Sequence, residues 1–147
     1  MFLCFDIVRL NHKEFNQYFA KNFRGLVREK EENKLTGVFP LFMGLGITVR
    51  FFDKQSATYG LYCLFLGDAF AAFVGMTIGK HKLLKQKSLE GYLACSIINT
   101  LLTVVCGKPS ILLGFICGAI ELLCGTVVKI DDNLIIPILS SYLFLKW

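Results

Sequence analysis

The stretch LGDAFAAFVGMTIGKHKLLKQKSLEG, residues 66–91, sets an aspartate inside an apolar segment and follows it with four lysines, a serine and a glutamate. A carboxylate at the centre of a membrane helix costs about 2.5–3.5 kcal/mol on insertion scales, and something nearby must offset it. The segments on either side decide whether Asp68 lies in such a place. Of the 147 residues, 54% are hydrophobic, against about 45–50% in an ordinary soluble domain, and the surplus is gathered into runs. Residues 56–79, 91–107, 110–128 and 134–147 are largely uncharged, and 37–52 is apolar apart from Arg50. A helix crosses the hydrocarbon core with roughly 17–25 residues. The runs 56–79 and 110–128 reach that length, 91–107 barely does, and 37–52 and 134–147 fall short. The sequence therefore predicts an all-α, polytopic transmembrane helix bundle with about five spanning helices, forming a single integral-membrane domain over 1–147.

Charge gives the expected topology. If the runs alternate direction, residues 9–36, 80–90 and 129–133 share one side and carry twelve of the sixteen Lys and Arg residues. The positive-inside rule makes that side cytoplasmic. Within 14–33, Phe15, Tyr18, Phe19, Phe23, Leu26 and Val27 recur at helical spacing opposite Lys21, Asn22, Arg24 and Arg28, which predicts a cytoplasmic amphipathic helix. The opening MFLCFDIV is too short to span and lacks the features of a signal peptide. All six cysteines lie in apolar runs without C-x-x-C or zinc-like spacing, so packing is their expected role. The net charge of +5 sits on loops rather than on a soluble basic domain, which excludes nucleic acid as a partner.

Two acids lie deep in the runs. Asp68 is twelve residues ahead of Lys80, about 18 Å along a helix. Gly67, Ala71, Gly75 and Gly79 recur every fourth residue beside it, a stripe that admits a close neighbouring helix. Gly114, Gly118, Glu121 and Gly125 repeat the design in 110–128 and put Glu121 at a similar depth. The acids by themselves fit a structural polar pair, a proton or cation transporter, or a catalytic site.

The loops favour the last of these. GKHKLLKQKSLEG is no Walker motif, because the spacing and the preceding strand are missing. Its lysines still suit a polyphosphate, and Ser88 is placed to cap the next helix, whose N-terminal amides favour an anion. A loop that only sets topology or binds anionic lipid is the plainer alternative. KIDDNLIIP, residues 129–137, supplies hard oxygens from Asp131, Asp132 and Asn133, which suit Mg²⁺ beside substrate phosphates or a helix cap.

These residues form recognisable blocks. Gly67, Asp68, Ala71, Gly75, Gly79 and Lys80 match G-D-x-x-A-x-x-x-G-x-x-x-G-K, and Lys87, Ser88, Glu90 and Gly91 match K-S-x-E-G. Glu121 then precedes Asp132, Asn133, Leu134 and Pro137 in D-N-L-x-x-P. In this the chain resembles the CTP-dependent lipid kinases, which act on dolichol, diacylglycerol or phytol. Asp6, Arg9, Asn16, Arg28, Glu29 or Glu32, and Gly37 place the resemblance nearest the diacylglycerol and polyprenol branch. The resemblance implies phosphoryl transfer from CTP to a membrane lipid alcohol, most readily diacylglycerol giving phosphatidate, with a divalent cation, Mg²⁺ first. Lys80, Lys82, Lys87 and Ser88 are expected to hold the nucleotide, Asp132 and Asn133 the cation, and Asp68, supported by Glu121, to serve the lipid hydroxyl. Dolichol or polyprenol kinase, pseudokinase and transporter are the alternatives. The family ordinarily carries one or two further membrane helices with an R-K-x-x-H-type segment, so the N-terminal membrane segment is expected to be short or missing. A multi-pass protein with its site facing the cytosol is implied, in the endoplasmic reticulum of a eukaryote or the cytoplasmic membrane of a bacterium.

Overall fold

The computed structural model describes residues 11–12, 38–84, 87–124, 127 and 130–147. The opening run, the amphipathic segment 14–33 and the upstream matches at Asp6, Arg9, Asn16 and Arg28 lie outside them. The chain divides into two units, Met1–Phe42 and Met43–Trp147. The helices of the second unit are α1 (Val38–Phe51, which starts ahead of the division), α2 (Lys54–Tyr62), α3 (Asp68–Thr77), α4 (Leu89–Val105), α5 (Ile111–Leu123) and α6 (Asp132–Lys146). A π turn, Cys63–Gly67, joins α2 to α3 without a break.

Each apolar run becomes a helix, and polar residues end most of them. Asp53 caps α2 by accepting from the Gln55 and Ser56 amides at 3.0 and 3.1 Å, and the Ser56 hydroxyl at 2.7 Å, followed by these amides, holds its carboxyl below the usual range. Ser88 caps α4 and Ser110 caps α5, each accepting an amide at 3.2 Å. The end of α4 is a Schellman turn: Gly107, at φ +80°, donates to Val104 at 3.0 Å, and Lys108 donates to Thr103 at 2.9 Å.

Small residues set the packing. A Cβ on Gly91 would meet the Ala71 carbonyl at 2.8 Å, which brings α3 against α4. One on Gly114 would meet the Thr100 amide at 2.6 Å, which brings α5 against α4. Gly60 likewise admits Ser141 and the Pro137 carbonyl of α6. Tyr59 and Phe144, both 0% exposed, stack with ring centres 4.5 Å apart. Polar residues share this core, with Thr48, Ser96, Asn99, Thr103, Ser140 and Ser141 inside, while Phe70, Phe73, Met76, Val105, Ile111 and Leu112 face outward.

Two expectations change in detail. The helical class holds, but Lys54–Thr77, at 24 residues, is the one described helix long and apolar enough to span by itself. The others run from 13 to 17 residues, or roughly 20–26 Å. The lysine loop is also not irregular: β1 (Lys82–Leu84) pairs antiparallel with β2 (Lys87–Ser88). The chain must reverse between α3 and α4, which lie against each other, and a short hairpin pairs its backbone while doing so.

Candidate functional site

The hairpin is tied at its base. Glu90, in the first turn of α4, accepts the His81 amide on both oxygens at 3.2 and 3.3 Å, and His81 Nδ1 lies 2.7 Å from its Oε1. The Leu89 amide returns to the His81 carbonyl at 2.8 Å. The His81 ring, followed by nearby backbone amides, holds the Glu90 carboxyl down at about 2. Ser88 is buried at 3% exposure, its hydroxyl oxygen accepting the Gly91 amide and enclosed by Gly75, Gly79 and Gly91. The sequence suits Ser88 both as a cap and as a phosphate ligand, and in the structure its side chain serves the cap.

The three candidate lysines separate. Lys80 and Lys82 are exposed, whereas Lys87 is half-buried and turned to α5. Its ammonium donates to Glu121 Oε1 at 2.6 Å and also to the Glu121 backbone carbonyl. That carbonyl is in the last turn of α5, where helix oxygens lack intrahelical partners and a cation is favoured. Glu121 was expected to support Asp68. Its bonded partner is Lys87.

Two other candidates stand on separate elements, Asp68 at the start of α3 and Asp132 at the start of α6. Asp68 itself is half-buried and enters α3 directly from the π turn, its amide donating to the Cys63 carbonyl. Such turns interrupt helices mostly at functional positions, and nothing in the residues 63–67 foretold one.

At the start of α6, the Asn133 amide donates to Asp131 Oδ1 and to Asp132 Oδ1, both at 3.0 Å. The two carboxylates therefore converge. Burial and the neighbouring Asp132 charge raise the Asp131 carboxyl above its ordinary range. Asp131 is the helix cap, an alternative open in the sequence, and Asp132 and Asn133 come after it half-buried. Among the described residues no group of three or more His, Cys, Asp or Glu side chains is gathered as a metal site. The five described cysteines are free and buried.

The sequence comparisons agree with the class its blocks imply: the chain is similar to CTP-dependent lipid kinases. In particular, it is 28% identical to CTP-dependent diacylglycerol kinase 1 of Schizosaccharomyces pombe over 94% of its own length and 72% of that protein's. It is 31% identical to the proteins of the same name from Saccharomyces cerevisiae and Eremothecium gossypii. Those matches take in 65% and 67% of this chain, and the chain spans only 34% and 32% of those two relatives. No family model and no solved structure matches it.

Proposed function

We propose that the chain binds CTP at the hairpin and transfers its γ-phosphoryl group to the hydroxyl of a membrane lipid alcohol, diacylglycerol first and a polyprenol second. The observation that carries this reading is the Lys87–Glu121 contact. It brings the K-S-x-E-G block onto the helix of the second acid, and Gly91 of the same block packs against Ala71 on the helix of Asp68. The reading includes a multi-pass protein. The apolar exterior and polar interior of the helices suit lipid, where a soluble surface of this kind would aggregate. Helices α1, α2 with α3, α4, α5 and α6 are then the five spans, and the hairpin faces the cytosol of a cell whose endoplasmic reticulum holds the protein.

Each residue has a task in this reading. Lys80 and Lys82, exposed on the hairpin, receive the outer phosphate oxygens. Lys87 approaches the γ-phosphate from within, and Glu121 holds its ammonium in place meanwhile. Asp68 takes the hydroxyl proton as the alcohol oxygen bonds to phosphorus and CDP leaves. Positioning and charge account for most of such a reaction. The converging Asp131 and Asp132 carboxylates, with the Asn133 side-chain oxygen, fit a divalent cation of the Mg²⁺ type, which takes one or two carboxylates beside substrate phosphates. When bound, that cation neutralises triphosphate charge.

The test is label transfer from γ-labelled CTP, compared with ATP, to diacylglycerol, a polyprenol and phytol in liposomes holding the purified chain. CTP-dependent labelling of diacylglycerol is expected. CTP binding without transfer identifies a pseudokinase, and solute movement without CTP consumption a transporter.

A further inference from the structure

Asn99 sits in the middle of α4, 1% exposed. Its Nδ2 donates to Cys95 Sγ at 3.3 Å, but its Oδ1 is fully buried without a hydrogen-bond partner. That oxygen is aimed at the close of the π turn: a Cβ on Gly67, the residue before Asp68, would lie 2.7 Å from it. A buried acceptor left unpaired destabilises the resting chain, and an O–H group that reaches it recovers the loss. Asn99 lies eleven residues past Ser88, about 16 Å along the helix. An uncharged alcohol reaches that depth from lipid at far lower cost than an ionised group.

We propose that Asn99 is the residue by which this site recognises its acceptor. Its amide oxygen accepts the hydrogen of the lipid alcohol's hydroxyl and so holds that group beside Asp68. The inference rests on the lipid-kinase reading and deepens it. The hydroxyl has a single hydrogen, held by Asn99 while the lipid binds and turned to Asp68 for transfer. With glycine at 67 no side chain lies against Oδ1, where a methyl would sit 2.7 Å away.

The experiment needs no turnover. The chain in lipid nanodiscs is titrated, without CTP, with dioctanoylglycerol and with its 3-deoxy analogue, in which hydrogen replaces the hydroxyl. The parent chain is expected to bind the alcohol about tenfold more tightly, the scale of one hydrogen bond to a buried acceptor. Asn99→Leu is expected to bind both alike, as is Gly67→Ala, which keeps the comparison available if the first variant fails to fold. Equal binding of the two lipids by the parent, or a preference kept by a folded variant, overturns the assignment. If the preference holds and label transfer from CTP fails, the kinase reading falls and the hydroxyl site stands.

Discussion

Lys87 and Glu121 are 34 residues apart in the chain, and their side chains are 21% and 7% exposed. Removing one partner strands a charge, which costs about 3–5 kcal/mol for a buried pair. Lys87→Met is therefore expected to lower unfolding stability in detergent by that order, and Lys87→Met with Glu121→Leu to restore most of it. Phosphoryl transfer is expected to be lost in both. A single variant as stable as the parent contradicts the pairing. Glu90 gives a prediction in pH. Its folded value, about 2 against an ordinary 4.5, is depressed, so its support for the hairpin is complete above about 4.5 and declines as pH falls toward 2. Amide protection at His81 and Leu89, read by hydrogen exchange, should be level from neutral pH to about 5 and fall below that. Level protection down to pH 2 would remove Glu90 from this role. Both acids were legible in the sequence, since a carboxylate in an apolar run is conspicuous. The choice of Lys87 over Lys80 and Lys82 was not, because it depends on which side chain the hairpin turns toward α5. Asn99 was hidden for another reason: an uncharged amide does not interrupt an apolar run.

The helices track the apolar runs to within a few residues because side-chain hydropathy and caps act locally. Ser88 is recognisable as a cap from its place ahead of an apolar run, and it is one. The small-residue stripe at Gly67, Ala71 and Gly75 also faces a neighbour, α4, as expected. The π turn and the hairpin are not legible in this way. The first leaves no mark in residues 63–67, and the second is built from strands of three and two residues that are too short to show alternation. The stripe yields a paired test. Gly91→Ala pushes a methyl to 2.8 Å from the Ala71 carbonyl and should destabilise by about 1–3 kcal/mol, with loss of transfer. A Cβ on Gly46 meets nothing within 4 Å, so Gly46→Ala should be neutral or stabilising by up to about 1 kcal/mol. Thermal unfolding of the two variants separates them, and equal effects contradict the close packing of α3 on α4.

Among the described residues, polar groups such as Thr48, Asn99 and Ser140 are buried while many large apolar side chains face outward, an exterior that suits lipid. The central claim is that nucleotide and lipid meet at a single site in which Lys87 serves the first and Asp68 the second. The most direct measurement compares CTP affinity with label transfer for Lys87→Met and Asp68→Asn in the same liposomes. Both variants should lose at least about a hundredfold in transfer, the scale of a lost catalytic proton acceptor. Only Lys87→Met should weaken CTP binding. Transfer that survives both substitutions, or CTP affinity that falls with Asp68→Asn and not with Lys87→Met, contradicts the account.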